Sequence, residues 1–158
     1  MATVVIMLGL GDPLPDLTLL DDTGGEVALG SLGKAVLFIY PRAMTPGCTT
    51  EACDFRDRYE RLQAAGYAVY GVSPDPSSRN AKFRDMHDLS YPLLSDEDHA
   101  FMTAVGAWGE KKNYGKTFLG VIRSTVVTDD DGAITHFFRN VKATGHAARV
   151  AKELGLDD

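Results

Sequence analysis

Six consecutive apolar residues, Ala35-Val36-Leu37-Phe38-Ile39-Tyr40, are followed after only five more by a sharply marked helix start at Pro46. A strand that alternates apolar and polar residues can leave one face in water. An unbroken run with β-branched members cannot, so this segment reads as a central strand covered on both faces. From Pro46 to Ala65 the apolar positions Cys48, Ala52, Phe55, Tyr59 and Leu62 step by four, three, four and three, the stripe of an amphipathic helix. A buried strand that feeds a helix through a short link is a building unit of a layered α/β sheet.

The rest of the chain repeats that alternation. Leu17–Leu20 and Glu26–Leu29 flank the turn residues Asp21–Gly25 and predict an N-terminal β-hairpin. Val69–Val72 predicts a strand, Ser77–His87 a helix, and His99–Val105 a short helix, with an irregular loop from Gly106 to Gly120. Thr125–Thr128 and Ile134–Phe138 bracket a turn at Asp129–Gly132. A helix with Ala147, Val150, Ala151 and Leu154 on one face follows. The expected fold class is therefore α/β, a central sheet flanked by helices on both sides with a hairpin extension at its start. No internal repeat, low-complexity tract or linker divides the chain, so residues 1–158 are read as a single domain, long enough to bury about two-thirds of the surface exposed on unfolding.

Charge narrows the partners. A net charge of −6 leaves no basic face for phosphates, which disfavours nucleic acid and anionic membranes. The apolar run Val4–Leu8 is about a third of a membrane span and lacks a cationic lead, so neither a membrane anchor nor a secretory signal is expected. The reducing cytoplasm is then the default compartment, where two cysteines are more often catalytic or inert than bridged.

Those two cysteines are Cys48 and Cys53. Thr45 precedes a proline and should be extended, and Pro46 fits the first helical position, which makes Thr45 the N-cap and Cys48 the third helical residue. There a sulfur faces free backbone N–H groups and the positive end of the helix dipole, surroundings that favour a thiolate. Gly47 leaves room for a small molecule. A buried cysteine is more often a small core residue, but the coincidence of cap, proline and a second nearby thiol favours redox chemistry. The four histidines, His87, His99, His136 and His146, have no ligand spacing and read as polar surface or loop residues; no metal is expected. Asp129-Asp130-Asp131-Gly132 lacks the acceptor spacing of a calcium loop.

Pro41, Thr45 and Cys48 form the pattern Pro-x3-Thr-x2-Cys, and Tyr40-Pro41 through Thr45-Pro46-Gly47-Cys48-Thr49-x-Glu51 resembles the bacterioferritin-comigratory, or Q-type, branch of the peroxiredoxins. Gly11–Asp16 resembles the entry segment of that branch, Trp108–Lys112 its middle loop and Ile122–Thr125 its arginine-bearing strand, and the likeness runs from about residue 10 to 155. Ala43-Met44 departs from it, since a polar or acidic residue commonly precedes the threonine, and makes the rim more apolar. The resemblance implies a thioredoxin-like fold and a cofactor-free peroxidase with Cys48 as the peroxidatic thiolate. It further implies Thr45 and Arg123 as activators, Gly47 and Cys48 N–H groups as further donors, and Pro41 as a shield against water. Glu51 could steady the arginine or merely favour the helix dipole. Cys53 matches the resolving position, with thioredoxin or a similar dithiol as reductant; an inert Cys53 with an external resolving thiol, or a non-catalytic redox sensor, are the alternatives.

On a regular helix two residues five apart have Cα atoms about 8.7 Å apart, beyond the roughly 6.8 Å limit of a disulfide. Pairing of Cys48 with Cys53 therefore requires the first turns to unwind, and Pro46 and Gly47 are poor continuers of a helix. With both thiols in one chain a dimer is not required, and a monomer is expected.

Overall fold

The computed structural model describes residues 7–113 and 115–156. Val4–Ile6 of the apolar run read above lie outside them, as does Tyr114. The chain order is β1 (Thr18–Asp21), β2 (Glu26–Ala28), β3 (Ala35–Ile39), α1 (Pro46–Ala64), β4 (Ala68–Ser73), α2 (Ser77–His87), β5 (Leu93–Ser95), α3 (Ala100–Ala104), β6 (Trp108–Asn113), β7 (Lys116–Val121), β8 (Ser124–Thr128), β9 (Ile134–Phe138) and α4 (His146–Glu153). Seven strands form one mixed sheet in the order β2-β1-β5-β4-β3-β8-β9, with β3, β4 and β5 parallel and the other pairs antiparallel. This is the thioredoxin-like arrangement, and the hairpin β1–β2 extends it at one edge.

Strand β3 behaves as its unbroken apolar run requires. All five of its residues are buried. Val36 and Phe38, with Tyr40 just beyond, point to the core shared with α1, α2 and α4, while Ala35, Leu37 and Ile39 point to the opposite core with Phe101 and Met102 of α3. On the first face Phe38 stacks on Phe55 of α1 at 4.6 Å between ring centroids and meets Tyr91 edge-on at 5.6 Å. The helix carrying Cys48 is thus seated on the centre of the sheet by aromatic packing.

Two sequence expectations change here. Gly106–Gly120 is not an irregular loop: Trp108–Val121 forms an antiparallel hairpin, β6 with β7, and Gly115 at its tip has φ of 76°. Its β7 strand is exposed along most of its length, Phe118 and Leu119 included, so the alternation that betrays a half-buried strand is missing. Arg123 is not within a strand. It occupies the two-residue link Ile122–Arg123 between β7 and β8. Among the described residues no helix is long and apolar enough to cross a membrane.

Gly71 in β4 lies where a side chain cannot. A Cβ there would stand 2.6 Å from Leu93 Cδ2 and 3.0 Å from both Phe38 and Tyr40. Gly71→Ala is therefore expected to destabilise the fold by about 1–3 kcal/mol through overpacking. Urea unfolding would check it; unchanged stability would mean that the sheet relaxes freely at this point.

Candidate functional site

The first turn of α1 is shaped by its proline. Thr45 is extended (φ −87°, ψ 156°), as a residue before proline tends to be, and Pro46 opens the helix. Thr45 caps α1 through its backbone only: its carbonyl accepts the first helical hydrogen bond, from the Thr49 N–H at 2.9 Å. Its hydroxyl instead donates back to the Arg42 carbonyl at 2.8 Å. With the proton so engaged, the Oγ1 lone pairs are left to accept from another donor. The N–H groups of Gly47 and Cys48, one turn ahead of any helical acceptor, have no partner within the helix.

Cys48 is the third helical residue and only 1% exposed. Arg123 reaches it from the β7–β8 link, donating from Nη2 to Cys48 Sγ at 3.3 Å and from Nη1 to Glu51 Oε1 at 2.6 Å. Cys48 and Glu51 are one helical turn apart, so one planar guanidinium spans both. Burial works against the charge of Arg123, but Glu51 and Cys48 outweigh it and hold the guanidinium firmly cationic. Glu51 is fully buried with Oε2 unpartnered, and burial pushes its carboxyl up to about 7 against the opposing pull of Arg123. The structure thus brings Cys48, Arg123 and Glu51 together. Gly47 borders them: a Cβ on it would stand 3.5 Å from Arg123 Nη2. Pro41 is half-buried in the link that precedes α1.

Cys53 is apart from this group. It is half-buried on the same unbroken helix, and both thiols are free. Burial raises its thiol above the usual range, Arg56 opposing and Asp57 and Asp54 adding to the rise. Cys53 is therefore a neutral thiol in this conformation, at helical distance from Cys48.

Some neighbours of the site are not apparent from sequence. His146 is buried at the start of α4, with Nε2 2.7 Å from Thr125 Oγ1 and the rings of Phe55 and Phe138 edge-on to it. It is neither a surface nor a loop residue. Burial, then Arg149 and Arg123, push its pKa down to about 4, and its Nδ1 is buried without a partner. A histidine following a glycine carries no signal of that setting. Asp75 and Arg79, at the start of α2, reach across to the backbone of Ala43, a pairing made by tertiary structure alone.

Known proteins resemble the chain in sequence and in fold. The AhpC/TSA family profile matches residues 10–137. A Mycobacterium tuberculosis protein assigned to the peroxiredoxins is 49% identical over 148 residues, covering 92% of this chain and 94% of that one. Peroxiredoxin Bcp of Bacillus subtilis is 42% identical over 147 residues, covering 92% and 94%. Among solved structures, the bacterioferritin comigratory protein of Xanthomonas campestris superposes with a TM-score of 0.85 at 33% identity, over 93% of this chain and 98% of that one. Likeness of sequence and of fold over more than nine-tenths of the chain, around a buried thiol under a guanidinium, has one reading: the chain belongs to the peroxiredoxin family, in its bacterioferritin-comigratory branch, and is a thiol-dependent hydroperoxide reductase.

Proposed function

We propose that Cys48 is the peroxidatic cysteine, that Cys53 resolves it, and that Arg123, Thr45 and Glu51 prepare the reaction. The 3.3 Å contact between Arg123 Nη2 and Cys48 Sγ carries this reading. A cation donating to sulfur stabilises the thiolate and stands beside the oxygen where negative charge develops. Thr45, its hydroxyl proton engaged by Arg42, accepts from the peroxide O–H and turns the terminal oxygen toward the sulfur. The free N–H groups of Gly47 and Cys48 add further donors, and Pro41 limits water. The thiolate attacks that oxygen and the O–O bond breaks. The leaving alkoxide or hydroxide takes a proton to become alcohol or water, and the sulfur is oxidised to sulfenic acid.

Resolution needs motion. Cys53 attacks the Cys48 sulfenic acid, the S–S bond forms, and water leaves, but only after the start of α1 has unwound. Unwinding also brings Cys53 into water, which removes the burial that holds it protonated. A dithiol donor of the thioredoxin type then reduces the disulfide by exchange. Both thiols belong to one chain, so a monomer suffices, and recycling by a dithiol donor suits a cytoplasmic setting.

Three outcomes test this. In a coupled assay with NADPH, thioredoxin, thioredoxin reductase and hydrogen peroxide, Cys48→Ser is expected to abolish turnover. Cys53→Ser should lose it unless a small thiol is added, and turnover indifferent to Cys48→Ser would sink the mechanism. Arg123→Lys keeps one charge but cannot span sulfur and carboxylate together, so the second-order rate of peroxide reduction should fall about 100-fold; a rate within twofold of the native one would remove the arginine from the chemistry. The third outcome concerns Glu51. Its carboxyl lies at about 7 in the fold against 4.5 in the open chain, so the stability it contributes is complete below 4.5 and is lost as pH rises through 7. The stability of the native chain relative to Glu51→Gln should fall by a few kcal/mol across that window, read by urea unfolding at several pH values; a constant difference would show that Glu51 does not titrate there.

A further inference from the structure

The link between β3 and α1 makes a tight turn whose conformation is costly. Met44, immediately before Thr45, has φ of 67°, the left-handed region that a residue with a side chain adopts at a cost of roughly 1–2 kcal/mol. Locally the Thr45 hydroxyl closes the turn on the Arg42 carbonyl at 2.8 Å. The rest of its support comes from across the fold. The Ala43 N–H donates to Asp75 Oδ2 at 2.7 Å, and Arg79 Nη2 donates to the Ala43 carbonyl at 3.0 Å. Arg79 Nε lies 3.1 Å from Asp75 Oδ1 and closes the ring. Both backbone polar groups of a fully buried alanine are therefore clasped by one ion pair.

The clasp is itself anchored. The Asp75 N–H donates to Ser73 Oγ at 3.2 Å, and Asn80 Oδ1 accepts from both Ser73 Oγ and the buried Tyr40 hydroxyl. Asn80 Nδ2 in turn donates to Ser95 Oγ. The ends of β3, β4 and β5 and the first turn of α2 are thus joined to the turn by side-chain hydrogen bonds.

We propose that Asp75 and Arg79 are positioning residues for peroxide reduction: by clasping Ala43 they hold Met44 in its left-handed turn, and so set Thr45 and the first turn of α1 against Arg123. The proposal rests on the reading of Cys48 as the peroxidatic thiol. Neither residue need touch the substrate. Their effect falls on the fully folded site, where Cys48 meets peroxide, and not on resolution, which proceeds from a conformation in which α1 has already opened.

That division supplies the test. Single-turnover experiments on the reduced protein measure two rates separately: the second-order oxidation of Cys48 by hydrogen peroxide and the first-order formation of the Cys48–Cys53 disulfide. Arg79→Met keeps the stem and removes both the donor to the Ala43 carbonyl and the charge facing Asp75; it is expected to slow the second-order step about tenfold and to leave the first-order step unchanged or faster. Arg79→Lys, which can reach the Ala43 carbonyl or Asp75 but not both, should fall between. Asp75→Asn retains an acceptor for the Ala43 N–H and guards against a failure to fold, and it should shift the same ratio of rates in the same direction. Peroxide oxidation at the native rate in folded Arg79→Met, or equal slowing of both steps in all three variants, overturns the proposal. Cys48→Ser in the same assays separates the two readings: if it leaves peroxide reduction intact, the reading of Cys48 has failed, whereas its loss beside a normal Arg79→Met rejects the clasp alone.

Discussion

One guanidinium bridges the two halves of the site. Arg123 is 15% exposed at its side chain, donates to Cys48 and Glu51 on successive turns of α1, and is carried by the link into β8, the antiparallel neighbour of β3. A buried cation needs buried partners, because its desolvation is offset only by charge and hydrogen bonds of good geometry. Glu51 Oε1 and the Cys48 sulfur are those partners, and burial holds the Glu51 carboxyl at about 7 despite the arginine. The seating of α1 on Phe38, the extended Thr45 and the clasp on Ala43 all serve to keep that bridge at hydrogen-bond length.

On the proposed two-cysteine mechanism the same helix holds the site and releases it. Folded, α1 buries Cys48 and keeps Cys53 about a helical turn and a half away. The aromatic stack at Phe55 secures the helix just beyond Cys53, whereas its opening residues, Pro46 and Gly47, are exposed and contribute little to helix stability. Intrinsic helix propensity therefore resists opening least at that end.

Much of this was legible in the residues. The unbroken run Ala35–Tyr40, the stripe from Cys48 to Leu62 and the Thr45-Pro46 boundary are local patterns, and local patterns survive into the fold because each reports the same burial that the sheet later supplies. The hairpin β6–β7 was hidden because its strands are largely solvent-exposed and glycine-bearing. Arg123 could be singled out only through family likeness, since nothing near it in sequence distinguishes it from a surface arginine. Asp75, Arg79 and His146 act through partners 21 to 36 residues away, distances at which periodicity carries no information.

His146 has a consequence that reaches beyond its place under α1. Its ring is held neutral down to about pH 4, against 6.5 in the open chain, so acid favours the unfolded form throughout that interval and stability rises with pH across it. Glu51 has the opposite slope, between 4.5 and 7. Over the shared interval the proton that the unfolded chain gains at one residue matches the proton that it loses at the other. In mild acid these two buried groups then titrate in opposite senses, and removal of either one would tilt the stability profile.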